Sequence, residues 1–377
     1  MEADSPSLPR HREAKADRIL VRGVNWLGDA VMTTPALLRL REKFPGAQIV
    51  LLSHAKLADL WHQHPAVDEV IPFASGENVF TVARRLRARQ FALALVLPNS
   101  PRSALEVFLA GIPRRVGYAR PWRNFFLTQV VAARPEAVKM RKRTAAEIKA
   151  LIAGLSSPPS RPAPTAPAHQ IHEYLHLGAA LGASPEPRPP QLFVTAEEVA
   201  AAGIRFGLDQ GSDLVLGLNA GAEYGPAKRW PAERFIAAAG QIQAQTGCTW
   251  LLFGGKNDQA LAAQIQAGLQ SRLPSINLAG RTSLRELMAL LKRCRGLLTN
   301  DTGPMHVAAA VGTPVVAPFG STSPELTGPG LPGDPRHHLL KSDAPCAPCF
   351  LRACPIDFRC MNHLGVERVV RAVLAAI

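Results

Sequence analysis

Several signatures that would fix a function at sight are missing from the sequence. There is no G-x-x-x-x-G-K-[ST] phosphate loop, no G-x-S-x-G nucleophile elbow, no H-E-x-x-H and no D-x-D pair to hold a divalent ion on a diphosphate. If the substrate carries a phosphate leaving group, its charge must be met by lysine, arginine and helix amides. No window approaches the roughly 18 uninterrupted apolar residues of a spanning helix. Residues 1–16 are polar and proline-containing, without the apolar core of a signal peptide, and read as a flexible tail. A soluble, cytoplasmic protein is expected. Cysteine is sparse, with six residues, and a reducing compartment would keep them as thiols or metal ligands rather than disulfides.

What is present begins with size. A chain of 377 residues, 47% hydrophobic and 19% charged, supports two ordinary α/β domains and is too apolar to be disordered as a whole. The net charge of +14 is lopsided, because residues 1–190 hold 26 basic and 15 acidic side chains while the rest hold 17 and 14. The basic excess falls in three clusters: Arg84, Arg85, Arg87 and Arg89; Arg114, Arg115, Arg120 and Arg123; and Lys139, Arg141, Lys142 and Arg143. Such clusters suit nucleic acid, anionic lipid or a phosphorylated substrate, and they also arise from compositional bias.

Apolar runs alternate with amphipathic ones. The first half reads as strand Ile19 to Arg22, helix Asp29 to Phe44, strand Gln48 to Ser53, helix Lys56 to His64, strand Glu69 to Phe73, helix Val79 to Arg89 and strand Phe91 to Leu97. Short links between such elements require a parallel sheet covered on both faces. The stretch Leu155 to Ala168 contains five prolines and reads as a surface loop. After a helix at Ile171 to Leu181 and a proline-rich run at Pro185 to Pro190, the alternation resumes from Leu214 to Pro318. The expected organisation is a first domain over 17–190 and a second over 191–377, with ligands beyond the carboxyl ends of the strands.

Polar residues gather at those strand ends. The thirteen residues Asn300 to Gly312 run from a strand through a Gly-containing turn into an Ala-rich helix, which aims free amides and the positive helix end at an anion. The alternative is that Asp301 or Thr302 only caps the helix. The loop Asn219 to Pro231 brings Gly221, Gly225, Lys228 and Arg229 to the same end of the second domain, suited to diphosphate oxygens unless the cations are simply solvated. In the first domain, the turn Gly23 to Asp29 is not G-x-G-x-x-G, which gives a dinucleotide little support there. Asp29 opens the first helix, either as a cap or as a carboxylate held ionised by the helix end. Near the C-terminus, Cys346, Cys349, Cys354 and Cys360 follow the spacing C-x2-C-x4-C-x5-C, open to a structural zinc, to reduced free thiols, or to an iron–sulfur or redox role.

These motifs resemble those of the ADP-heptose:lipopolysaccharide heptosyltransferases. The matching stretches are Arg22-Gly-Val-Asn-Trp-Leu-Gly-Asp-Ala-Val-Met-Thr-Thr-Pro-Ala36, Asn219-Ala-Gly-Ala-Glu-Tyr-Gly-Pro-Ala-Lys-Arg-Trp-Pro231, Thr299-Asn-Asp-Thr-Gly-Pro-Met-His306 and Ser323-Pro-Glu-Leu-Thr327. The Gly-Pro-Ala-Lys-Arg-Trp-Pro string is most like the heptosyltransferase II branch. The resemblance implies a GT-B fold, two Rossmann-like domains about a cleft, with the acceptor on the first and the nucleotide sugar on the second. It implies inverting, metal-independent transfer of a heptose from ADP-L-glycero-β-D-manno-heptose to the heptosylated, lipid A-linked inner core of lipopolysaccharide, adding the second heptose. Asp29 would then be the base. Lys228 with the amides of Thr302 and Gly303 would steady the diphosphate, Asp301 would orient the donor sugar, and Glu223 and His306 would be further donor contacts. No cofactor is implied for the chemistry, and neither the proline-rich loop nor the cysteine cluster is needed for it; some relatives lack such a cluster. The basic first half would meet the inner face of the cytoplasmic membrane peripherally. Rival readings are transfer of the first or a later heptose, a non-catalytic nucleotide- or nucleic-acid-binding protein, and a nicotinamide dehydrogenase. Nucleic acid is disfavoured by the absence of RNP-like aromatic motifs.

Overall fold

The computed structural model describes residues 17–155, 165–208, 214–269 and 275–377. The expected tail at 1–16 and residues 156–164 of the proline-rich stretch lie outside them. The first half runs β1 (Arg18–Arg22), α1 (Leu27–Lys43), β2 (Gln48–His54), β3 (Glu69–Phe73), α2 (Val79–Arg87), β4 (Leu93–Val96), α3 (Pro101–Leu109), β5 (Arg114–Tyr118) and β6 (Gln129–Val131). Three helices follow: α4 (Ala145–Ile152), α5 (Ile171–Ala179) and α6 (Ala196–Arg205). The second half runs β7 (Val215–Asn219), α7 (Ala232–Thr246), β8 (Thr249–Leu252), α8 (Gln259–Gly268), β9 (Ser275–Asn277), α9 (Leu284–Arg293), β10 (Gly296–Thr299) and α10 (Gly303–Ala310). It ends with β11 (Val315–Phe319), α11 (Pro324–Thr327), β12 (His337–Lys341), α12 (Arg359–Asn362) and α13 (Val366–Ala376).

Each half forms a six-stranded parallel sheet, in the orders β3-β2-β1-β4-β5-β6 and β12-β11-β10-β7-β8-β9. Inner strands such as Leu93–Val96 and Val215–Asn219 are buried at every position because helices cover both sheet faces. Successive residues still part company across the sheet. Leu20 and Val50 pack with α2 and α3 on one face, whereas Ile19, Val21 and Leu51 pack on the other. That second cluster does not stop at the first sheet. It runs through α1 and Met305, Val307 and Ala308 of α10 into Leu297 and Val315 of the second sheet, so one apolar core joins the halves.

The structure departs from the sequence expectations at identifiable places. The segment expected as a helix over Lys56 to His64 is a 3-10 turn over Ala55–Trp61, started by the His54 ring accepting from the Lys56 amide and holding Leu57, Leu60 and Trp61 inward. Beyond the strand expected at Phe91 to Leu97, the alternation continues through α3, β5 and β6; Arg114 and Arg115 in β5 break the apolar pattern because they sit at the exposed start of the strand. Helix α4 falls early in the chain, yet its Ile148 packs in the core on the far side of the second sheet, with Trp230 and Met361. The chain therefore visits the second half before returning to α5, which lies on α1.

Candidate active site

In both sheets the order reverses beside the first strand of the half, between β1 and β4 and between β7 and β10, the position at which open parallel sheets bind ligands beyond the strands' carboxyl ends. From β1 the chain turns through Gly23 to Trp26 into α1; from β10 it turns through Asn300 to Thr302 into α10. The two helix N-termini abut. A Cβ on Gly28 would lie 2.7 Å from the His306 ring, and one on Gly303 would lie 2.9 Å from Leu27, so only glycine permits this approach. Two positive helix ends are thus aimed at one cleft.

Asp29 is the third residue of α1 and not its cap, which is Trp26. Its Oδ1 accepts from Gln170 Nε2 at 3.3 Å, and Gln170 Nε2 also donates to Tyr174 Oη at 2.9 Å. Burial pushes the carboxyl pKa up to about 6, against the pull of Gln170 and Lys228 and with the push of Asp301. The expectation that the helix end holds it at low pKa is corrected here, because desolvation at the interface outweighs the favourable partners. A carboxylate with a pKa near neutrality is a better proton acceptor than a fully stabilised one.

Across the cleft, Asp301 is 4% exposed and its Oδ2 accepts from Lys228 Nζ and from Thr322 Oγ1, both at 2.6 Å. Lys228 also lies 5.0 Å from the Tyr224 ring centroid, and Arg352 lies 5.2 Å from the same ring. Lys228 is accordingly not a solvated surface cation; Arg229 is exposed, 3.8 Å from Asp258. Neither Asp301 nor Thr302 caps α10 through its side chain. Among the described residues, the amides of Thr302 and Gly303 meet no protein acceptor, so two donors remain for a ligand. His306, on the first turn of α10, is buried, and desolvation brings its pKa down to about 4, leaving the imidazole neutral at pH 7. Glu223 is exposed at the mouth, 3.6 Å from Lys56 of the first half, and Lys56 covers Trp26 at 5.6 Å.

Asn300 is the joint that sequence reasoning passed over. Its Oδ1 accepts from the Trp230 amide at 2.9 Å and its Nδ2 donates to the Ala220 carbonyl at 2.7 Å, which ties the Lys228 loop to the Asp301 turn. Asn219 at the end of β7 donates to Thr299 Oγ1 at 3.2 Å in the same network. An asparagine closing each of two apolar runs, Asn219 after Leu214 to Leu218 and Asn300 after Gly296 to Thr299, was the signal available in the sequence. Gln170 and Thr322 carried none, since their partners lie 141 and 21 residues away. His169 and Gln170 also fasten the halves, through the Gly328 carbonyl at 3.0 Å and the Leu326 carbonyl at 2.9 Å.

The cysteine segment lies apart from this chemistry. Cys346, Cys349 and Cys360 are buried free thiols within the second core, and Cys354 is half-buried. Burial and the neighbouring sulfurs raise the Cys360 thiol to about 12. Among the described residues, no three His, Cys, Asp or Glu side chains are set to hold a metal ion. Cys346, Cys349 and Cys360 pack in the second core as small apolar side chains, with the sulfurs of Cys346, Cys349 and Cys354 neighbouring that of Cys360; whether the four hold a zinc ion is a matter for metal analysis. Arg141 and Arg143, from the third basic cluster expected to suit nucleic acid, anionic lipid or a phosphorylated substrate, have partners within the chain. Arg141 pairs with Glu147 at 2.6 Å, and Arg143 donates through Nε to the Pro348 carbonyl at 3.2 Å and through its amide to Cys349.

Comparison with known proteins places the architecture in a known group. Residues 79–358 match the family model described as glycosyltransferase family 9 (heptosyltransferase). Lipopolysaccharide heptosyltransferase 2 of Escherichia coli strain K12 is 32% identical over 327 residues, which cover 83% of this chain and 85% of that protein. Lipooligosaccharide heptosyltransferase 2 of Haemophilus ducreyi is 30% identical over 331 residues, 83% of this chain and 86% of the relative. Among solved structures, E. coli ADP-heptose lps heptosyltransferase II superposes with a TM-score of 0.74 at 28% identity, covering 95% of this chain and 98% of that one. The E. coli heptosyltransferase solved with ADP shares the fold, with a TM-score of 0.66 at 17% identity. The two sheets about a cleft are the GT-B arrangement of those proteins.

Proposed function

Since the chain belongs to glycosyltransferase family 9, the heptosyltransferases, we propose that it transfers a heptose from ADP-L-glycero-β-D-manno-heptose to the heptosylated inner core of lipopolysaccharide, adding the second heptose. Similarity supports that step over its neighbours. Lipopolysaccharide heptosyltransferase 2 of E. coli is 32% identical over 83% of this chain and the heptosyltransferase 1 of Pseudomonas aeruginosa 27% over 89%, while the E. coli heptosyltransferase 3, 35% identical, aligns over only 25% of it. In this reading the first half holds the acceptor, the second holds the donor, and the lipid A anchor of the acceptor brings the enzyme peripherally to the inner face of the cytoplasmic membrane.

The observation that carries the mechanism is the meeting of α1 and α10, with a carboxylate of raised pKa on one and a lysine with free amides at the other. Asp29 takes the proton of the acceptor hydroxyl as its oxygen attacks the anomeric carbon from the face opposite the leaving group, which inverts that centre. The C–O bond to ADP breaks, and negative charge grows on the β-phosphate. Lys228 and the amides of Thr302 and Gly303 meet that charge without a metal ion. Lys228 turns from Asp301 toward the diphosphate, and the Asp301 carboxylate, still held by Thr322, becomes free to accept from donor-sugar hydroxyls. Neutral His306 and the mouth residue Glu223 complete the donor side.

The test is to offer the purified protein ADP-heptose with acceptors bearing no, one or two heptoses. Extension of the singly heptosylated acceptor alone is expected; extension of the heptose-free acceptor would assign the first transfer instead.

A further inference from the structure

One outer face of the first half is unlike the rest of the surface. Trp122 is 89% exposed, Phe125 81% and Phe80 67%, in a chain whose other large aromatics are mostly inside. The face is continuous: α2 packs on α3, and Phe108 of α3 has Phe125 at 5.9 Å and Phe126 at 5.4 Å, both on the loop that follows β5. Leu105 and Leu109 of α3 are half-exposed beside them, and Val130 on the edge strand β6 is 44% exposed.

The loop is built to present these side chains outward. Arg123, between the two aromatics, is fully buried and reaches Asn99 Oδ1 at 3.2 Å, and the Arg120 amide donates to Asn124 Oδ1 at 2.9 Å. With its inside pinned, the chain carries Trp122 through φ 63, a conformation that a bulky residue rarely adopts. Among the described residues, none covers that indole.

Charge on the same stretch is one-sided. Residues 78–132 contain nine arginines, no lysine and a single acid, Glu106, which is buried and already shared by Arg22 and Arg102. Arg84 and Arg87 on α2 stand exposed. Protruding aromatics set among arginines match the layer between water and hydrocarbon in a bilayer with anionic headgroups.

We propose that the face formed by α2, α3 and the loop of residues 119–128 docks on an anionic lipid bilayer, with Trp122 and Phe125 entering its interfacial layer. The proposal rests on the reading above, in which the acceptor is anchored in a membrane, and it assigns the membrane contact expected of the basic first half to this face. Half-exposed leucines and an edge valine suit lipid better than the stacking of nucleic-acid bases.

The experiment uses the full chain, its Trp122→Ala/Phe125→Ala double variant and Trp122→Phe, with vesicles of phosphatidylglycerol and phosphatidylcholine or of phosphatidylcholine alone. Wild type should sediment with the anionic vesicles, less as salt rises, and its tryptophan emission should move to the blue. The double variant should bind roughly tenfold or more weakly and Trp122→Phe should keep most of the binding, in line with apolar insertion. Transfer to a short, lipid-free acceptor should be unchanged in every variant. Vesicle binding by the double variant within about twofold of wild type, no binding by wild type, or loss of single-stranded oligonucleotide binding in its place would overturn the proposal. Failure of wild type to extend the lipid-free acceptor would instead count against the transferase reading, and the vesicle result would still stand on its own.

Discussion

Asp29 combines two demands that pull apart, and replacing it by asparagine should separate them. Its carboxyl is raised from 3.8 to about 6, chiefly by burial, so the folded protein holds the charged form at a cost of on the order of 3 kcal/mol, at about 1.4 kcal/mol per unit. A raised carboxyl pKa contributes stability below the unfolded value of 3.8, and that contribution is lost as pH rises through about 6. At pH 7.5 the wild type carries the full cost. Asp29→Asn should therefore raise the melting temperature at pH 7.5 by a few degrees, and the gain should shrink as pH falls through 6 toward 4. Turnover should move the opposite way, falling by about 10² to 10⁴ with donor affinity within a few-fold, as for loss of a positioned base. In the wild type, kcat/KM should be halved near pH 6 and fall about tenfold per unit below it, because only the ionised carboxylate accepts the proton. Differential scanning fluorimetry and initial rates from pH 5 to 8 supply both measurements. A variant that keeps near-normal turnover, or a wild-type profile flat between pH 5 and 7.5, would refute the assignment.

Lys228→Ala should weaken ADP binding and turnover together, measured by calorimetry and rate, and should move the acidic limb of the pH profile upward, since Lys228 is one of the groups lowering the Asp29 pKa. Asn300→Ala should cost about 1 to 3 kcal/mol by leaving the Trp230 amide without its acceptor, and should reduce donor affinity although Asn300 is assigned no contact with substrate. Excess EDTA should leave wild-type turnover intact; loss of activity restored by Mg²⁺ would show that a metal shares the leaving-group charge. Cys349→Ser should affect thermal stability more than turnover per folded molecule, and metal analysis of protein purified without a His tag decides the cluster: near-stoichiometric zinc would support a structural site on Cys346, Cys349, Cys354 and Cys360, and less than about a tenth of an equivalent would remove it.

Much of this molecule was legible in the residues themselves. Buried parallel strands announce themselves as unbroken apolar runs, such as Val215 to Leu218, and amphipathic helices by their period, so the two α/β halves emerged from local pattern alone. The turn at Asn300 to Gly303 between a strand and a helix was visible for the same reason, since a strand, a glycine turn and a helix start are all short-range features. Family motifs then gave Asp29, Lys228 and Asp301 their expected roles. What local pattern could not contain was settled by contacts between residues far apart in the chain. The Lys228 to Asp301 pair spans 73 positions and the Gln170 to Asp29 bond 141, and no periodicity encodes either. The rise of the Asp29 pKa, against the expectation of a helix end, follows from burial where α1 meets α10, and burial belongs to the fold rather than to the residue. The same holds for the arginines: Arg141 and Arg143 have partners within the chain, whereas the face around Trp122 became visible only when neighbouring elements failed to cover it. Sequence determines which segments can be strands and helices because that choice is made within a few residues; tertiary structure decides which charges are paired and which aromatics face outward, because desolvation depends on everything packed around them.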